Sequence, residues 1–197
     1  MNKQEILFAT GNPNKVKEIN HLLQGSVYSV KSLKEMGIEE DIPEPFDTLK
    51  ENAQAKVDYL IKLKGTPCIS EDTGLEVKAL NGAPGVLSAR YAGESKNAAD
   101  NIRLLLKNLE GINERTARFR TVICYWDGIQ YHFFEGIVNG SIAEKPKGVS
   151  GFGYDPVFIP ENQYRTFAEM TANEKINLSH RSRAFNSFLN FLKKQDD

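Results

Sequence analysis

The opening of the chain constrains its fold more than any other stretch. Glu5-Ile6-Leu7-Phe8-Ala9 is a short apolar run that stops at Thr10-Gly11-Asn12-Pro13. Such a run, bounded by turn residues, reads as a buried strand. Asn12 is a good helix N-cap, and Pro13 is preset for the first helical position. Val16, Ile19, Leu22 and Leu23 then recur at helical spacing. Strand, tight turn and helix in that order are the first step of an α/β fold.

The remaining pattern continues in kind. An acidic loop from Glu39 to Asp47, carrying Pro43 and Pro45, precedes a helix expected over 48–63 that buries Ala53, Val57, Leu60 and Ile61. A strand is expected at 66–70, followed by Glu71-Asp72-Thr73-Gly74 as a turn. The Gly- and Pro-rich stretch 81–93 reads as irregular, and 98–109 as an amphipathic helix. From Thr116 the period changes to two, the period of a strand. Asp127-Gly128 is a preferred two-residue hairpin turn, with a returning strand over 131–138. A last helix starting at Ser179 buries Ala184, Phe185, Phe188, Leu189 and Leu192. No repeat or flexible linker breaks the chain, so one α/β domain over 1–197 with a mixed sheet is expected.

Charge narrows the function. With 25 Lys and Arg against 26 Asp and Glu, the chain lacks the basic surplus of a protein that grips long nucleic acid. A small anionic ligand needs only a few well-placed cations. Cys68 and Cys124 lie far apart in apolar runs, which suits buried free thiols in a reducing compartment rather than a disulfide or metal site. Residues 1–8 hold too short an apolar run for a signal peptide, and no stretch is long enough for a membrane span. A cytoplasmic, membrane-free protein is expected.

Several constellations could carry chemistry. Thr10-Gly11-Asn12-Pro13-Asn14-Lys15 sets backbone N–H groups at a helix N-terminus, a natural anion site; Lys15 there opposes the helix dipole unless an anion binds. A capped surface helix meets the same pattern. Glu71 and Asp72, with Glu44 upstream, offer hard carboxylate oxygens of the kind Mg²⁺ takes; an Asx turn before Gly74 is the plain alternative. Asn52 and Lys56, one helical turn apart, share a face. Gly151-Phe152-Gly153-Tyr154-Asp155-Pro156 flanks two aromatic planes with glycines, suited to a base or to a tight buried turn. His180 and Arg181 fall four residues before Ala184 and Phe185, hence toward the buried side, and need an electron-rich partner.

These motifs, with Glu51-Asn52-Ala53, Ser70 to Leu75, Gly82-Ala83-Pro84-Gly85, Ser88-Ala89-Arg90-Tyr91 and Ser179-His180-Arg181, appear in an order and spacing that closely resembles the inosine triphosphate pyrophosphatase family, also called XTP/dITP diphosphatases. The resemblance spans nearly the whole chain. It implies a central elongated mixed sheet flanked by helices, two lobes with a cleft between them, and a homodimer. It implies Mg²⁺-dependent hydrolysis of ITP, dITP and XTP to monophosphate and pyrophosphate, clearing them from the nucleotide pool. By the same resemblance Thr10, Gly11, Asn12, Pro13, Asn14, Lys15 and Lys56 hold the triphosphate. Asp72 is the catalytic carboxylate and, with Glu44, a metal ligand. Thr73 touches substrate, Phe152, Gly153, Tyr154 and Asp155 frame the base, and Lys175, His180 and Arg181 donate to its carbonyl edge. Glu71 stands where the family often has aspartate, and Thr73 where it often has serine.

Three rival readings meet parts of the same pattern. Maf-like nucleotide pyrophosphatases share the architecture but are disfavoured by His180-Arg181 and the 151–156 motif. A nucleotide sensor without turnover is disfavoured by the intact Asp72, Glu44, Lys15 and Lys56. A nucleic-acid module is disfavoured by charge.

Overall fold

The computed structural model describes residues 4–195. Met1, Asn2 and Lys3, part of the segment weighed against a signal peptide, lie outside the described residues, as do Asp196 and Asp197. The chain opens as its spacing predicts. Strand β1 (Gln4–Phe8) leads into helix α1 (Pro13–Leu22), capped by Asn12, whose side chain accepts from the N–H groups of Asn14 and Lys15. Strand β2 (Tyr28–Ser32) follows, with Tyr28, Val30 and Ser32 buried in alternation. Helix α2 (Leu49–Lys64) starts on a Thr48 cap and ends at Gly65, whose φ of 62° suits glycine.

Then come β3 (Cys68–Val77), β4 (Pro84–Gly85), α3 (Ala98–Asn108), β5 (Thr116–Trp126), β6 (Tyr131–Ile142), β7 (Phe158–Pro160), α4 (Ala172–Leu178) and α5 (His180–Lys193). Among the described residues the strands form one sheet in the order β2-β1-β3-β5-β6-β7, with β4 paired to β3. β1 is parallel to β2 and β3, whereas β4 and β7 are antiparallel to β3 and β6. This is the α/β fold with a mixed sheet. No helix among the described residues is long and apolar enough to cross a membrane.

The chain divides into two compact units. The first takes the N-terminal part to Asp72, Val122–Glu135 and the stretch from Ala184; the second takes Thr73–Thr121 and Gly136–Arg183. In the first, the alternation of strand side chains builds two cores. Phe8, Ile69 and Ile123 pack with Ile19 of α1 and Phe185 and Phe188 of α5. On the other face, Cys68 and Cys124 pack with Ala53, Val57 and Leu60 of α2. The second unit is cored by Leu75, Leu105, Phe119, Phe158 and Phe167, among others.

Two local expectations are corrected. Glu71 to Gly74 is no turn: β3 runs through it, and Glu71 and Asp72 are buried mid-strand instead of standing at an exposed rim. Pairing with β4 carries the strand onward, and it requires a bare Cα at Gly74, where a Cβ would lie 2.7 Å from the Gly85 carbonyl oxygen. The β5–β6 connection runs from Asp127 to Gln130, whose carbonyl accepts from the Asp127 N–H at 3.2 Å, so the reversal centres on Gly128-Ile129 rather than on Asp127-Gly128. Asp127 Oδ1 accepts from the N–H groups of Ile129 and Gln130, closing the loop with a side chain.

Candidate active site

In the first unit, the parity of β3 decides which helix each acid meets. Cys68, Ser70 and Asp72 fall on the face covered by α2, and Ile69 and Glu71 on the face covered by α1. Each helix presents a lysine to its acid. Lys56 Nζ donates to Asp72 Oδ1 at 2.9 Å and to the Glu71 carbonyl oxygen at 3.1 Å, and it forms an ion pair with Glu44. Lys15 Nζ lies 3.3 Å from Glu71 Oε1 on the opposite face. The adjacent acids, read as one carboxylate pair, thus turn their side chains to different lysines.

Asn52 explains how the acidic loop reaches this place. Fully buried, it accepts from the Phe46 N–H and donates to the Phe46 carbonyl, both at 2.9 Å. That double bond to the backbone pins the loop over α2 and brings Glu44 to Lys56. At the head of α1, Thr10 is buried and its Oγ1 accepts from the Asn12 N–H, while a Cβ on Gly11 would meet nothing within 4 Å. Pro13 opens the helix, and Asn14 donates its N–H to the Asn12 cap.

Burial sets the electrostatics. It pushes the Asp72 carboxyl above its ordinary range; Lys56 and Lys15 pull it back, and Glu44 pushes it up again. For Lys56, burial works against the ammonium, but Asp72 and Glu44 together outweigh it and hold the group above the usual lysine value. Lys56 thus stays charged, and Asp72 is more basic than a surface aspartate. Among the described residues, Asp72 Oδ2 is buried with no hydrogen-bond partner. A buried acceptor left unmet is rare enough to require an explanation.

In the second unit the cations meet aromatic rings and hydroxyls. Asp155 Oδ2 accepts from Lys175 Nζ at 2.6 Å and from the Phe152 N–H at 2.8 Å. Gly151 makes this closure possible: its φ is 76°, and a Cβ there would lie 2.0 Å from Asp155 Oδ2. Lys175 Nζ stands 4.8 Å from the centre of the Phe152 ring, and the Arg181 guanidinium carbon 5.6 Å from it. Arg181 is 1% exposed, and its Nη2 reaches Thr73 Oγ1 at 3.5 Å. Thr73 Oγ1 lies 2.6 Å from Thr121 Oγ1. His180, at the start of α5, stacks on Phe119 with ring centres 4.6 Å apart and planes 20° apart.

Tyr154 departs from the expectation of an exposed plane. It is 4% exposed, packs in the core and donates its hydroxyl to the Ser88 carbonyl at 2.9 Å. Its ring is long enough to reach the 88–91 segment, so core packing takes it. Gly153 beside it has φ 58°. The sequence reading did not single out Thr121, Phe119 or the pairing of Glu71 with Lys15. Thr121 lies at the same strand parity as Phe119 and Ile123, all three buried, and a hydroxyl at that parity is the signal that could have found it.

Comparison with known proteins identifies the family. The sequence profile of the Ham1 family matches residues 6–191. A protein of Porphyromonas gingivalis named dITP/XTP pyrophosphatase is 50% identical over 190 residues, covering 96% of this chain and 97% of that protein. A Bacillus subtilis protein of the same name is 45% identical over 184 residues, 92% of this chain and 93% of its own. In structure, the Ham1 protein of Staphylococcus aureus superposes with a TM-score of 0.87 at 36% identity, covering 98% of this chain and 100% of that one.

Proposed function

The chain belongs to the Ham1 family, and on that premise we propose that it hydrolyses dITP, XTP and ITP to the nucleoside monophosphate and pyrophosphate. Residues 1–197 would act as one pyrophosphatase domain. The observation that carries the reading is Asp72: a buried carboxylate raised by desolvation, fixed at Oδ1 by Lys56, with Oδ2 left as an acceptor. Water adds across the anhydride between the α- and β-phosphates, one P–O bond breaks, and pyrophosphate leaves. Asp72 orients that water and takes its proton, a task favoured by a carboxylate more basic than usual. Lys15 and the head of α1 answer the charge of the phosphates.

The carboxylates suit Mg²⁺. Glu44 and Asp72 give hard oxygens already gathered around one cationic centre, and Asp72 Oδ2 is an acceptor in need of a partner. No cluster of three or more His, Cys, Asp or Glu side chains able to hold a metal occurs among the described residues. Mg²⁺ is commonly held by one or two carboxylates and completed by water and substrate phosphate. Bound there, the ion would polarise phosphoryl oxygens and lower the pKa of a coordinated water.

Within the second unit, Lys175, His180 and Arg181 would donate to the carbonyl edge of the base, with Phe152 beside Lys175 and Arg181. Hypoxanthine and xanthine present an acceptor at C6, whereas adenine presents an amino donor that would leave buried donors unmet. A homodimer in a reducing, cytoplasmic setting completes the proposal; gel filtration with light scattering reads the dimer directly. The decisive experiment is pyrophosphate release from dITP, XTP, ITP, GTP and ATP with and without Mg²⁺, for the wild type and Asp72→Asn. Release from the first three, dependent on Mg²⁺ and about 10³-fold slower in Asp72→Asn, is expected. Equal rates with all five would overturn the base selectivity, and no release from any would overturn the activity.

A further inference from the structure

Glu71 is 1% exposed, yet the proposed chemistry makes no use of its side chain. Strand parity turns it away from the Asp72 face, so it cannot join Glu44 and Asp72 around a shared cation. It has its own partner: Lys15 Nζ, 3.3 Å away, at the head of α1. Lys15 needs such a partner. Its position in the first turn sets it against the helix dipole, and its side chain, 15% exposed, has water within reach as the alternative. A lysine that is to meet a phosphate must give up that freedom, and ordering it before the ligand arrives spares the ligand the loss.

We propose that Glu71 is a positioning residue for the triphosphate, acting by holding the Lys15 ammonium at the head of α1 and taking no part in the activation of water. The inference rests on the pyrophosphatase reading. It divides two adjacent acids between two tasks: Asp72, held by Lys56, serves the chemistry, and Glu71, held by Lys15, serves binding. The glutamate itself fits the task. Relative to the aspartate that the resembled family often carries there, its extra methylene lengthens the reach from strand to helix.

Steady-state kinetics on dITP and calorimetric binding of inorganic tripolyphosphate test it, using wild type, Glu71→Gln, Glu71→Asp, Lys15→Met and the Glu71→Gln/Lys15→Met double variant. Glu71→Gln should raise KM about tenfold with kcat within twofold of wild type, and should weaken tripolyphosphate binding by a similar factor. Glu71→Asp should fall between. In the Lys15→Met background Glu71→Gln should leave tripolyphosphate binding unchanged, since the ammonium it holds for the phosphate is gone. A lowered kcat at unchanged KM would place Glu71 in the chemistry and overturn the proposal. Unchanged or tighter binding would overturn it too, leaving Glu71 as a neutralising charge only. If Glu71→Gln does not fold, Glu71→Asp carries the test, and no rise in KM there is fatal. A wild type that turns over none of the nucleotides refutes the pyrophosphatase reading instead, while tripolyphosphate binding still reports on Glu71 and Lys15.

Discussion

The two side-chain clusters of this protein hold their buried charges in different ways. In the first unit, Lys15 and Lys56 face three carboxylates, Glu44, Glu71 and Asp72. In the second, Lys175 pairs with Asp155, and Lys175 and Arg181 lie beside the Phe152 ring, with Arg181 also reaching Thr73 next to Thr121. Buried charges are tolerated where they are paired, so the first cluster rests on ion pairs and the second on a mixture of ion pair, ring and hydroxyl. Under the proposed function the first would take a cation, and the second an electron-rich partner such as a purine carbonyl.

Substitutions can break or sharpen this contrast. The largest effect is expected at Lys56, where Lys56→Met strands Glu44 and Asp72 against each other. Removing one partner of a buried pair should lower the unfolding free energy by about 3–5 kcal/mol, read from urea denaturation. A loss no larger than that of a surface pair would mean the first cluster is less charge-bound than described. In the second cluster, Arg181→Lys keeps the charge but loses the planar group over Phe152. Preference for dITP over dATP should fall about tenfold, with little change in unfolding midpoint; an unchanged ratio would show that charge alone suffices there. Thr121→Val removes one hydroxyl behind Thr73 and should cost about 1 kcal/mol of stability.

A pH dependence comes from two thiols of the first unit. Burial pushes the Cys68 and Cys124 thiols up to about 12. Unfolded thiols ionise at about 8.5. Above that pH the unfolded chain sheds protons that the folded one retains, so stability is complete below it and declines as pH rises toward 12. Thermal unfolding from pH 7 to 10 should show a decline that sets in above about 8.5 and shrinks once both cysteines are replaced by alanine. Both thiols should also resist thiol reagents until the protein unfolds.

The sequence made the local elements legible where cap and period agree. Asn12-Pro13 marked the start of α1, and the helix expected over 48–63 is α2, Leu49–Lys64. It failed where a tertiary partner overrides local chemistry. Glu71-Asp72-Thr73-Gly74 has turn composition, yet lysines from two different helices let the acids sit inside a strand. Tyr154 follows a glycine in a turn-like stretch, yet a distant carbonyl at Ser88 fixes it in the core. Strand β2 and helix α4 were not read at all. Tyr28–Ser32 has only five residues, and α4 is a seven-residue helix whose capping box, Thr171 with Glu174, is its clearest signal. The residues of these clusters were legible as types; which lysine meets which acid depends on strand parity, visible only once β3 is known to be unbroken.

That parity works like a reading frame. Losing or gaining one residue between Cys68 and Asp72 would do more than displace a side chain, because every residue beyond the lesion would change faces. An acid that answered α1 would answer α2, and the apolar neighbours would turn with it. A two-residue change would restore the faces but shift the heights. The spacing within this strand is therefore a digital constraint in an otherwise tolerant fold: substitutions there can be graded, and single-residue insertions or deletions cannot.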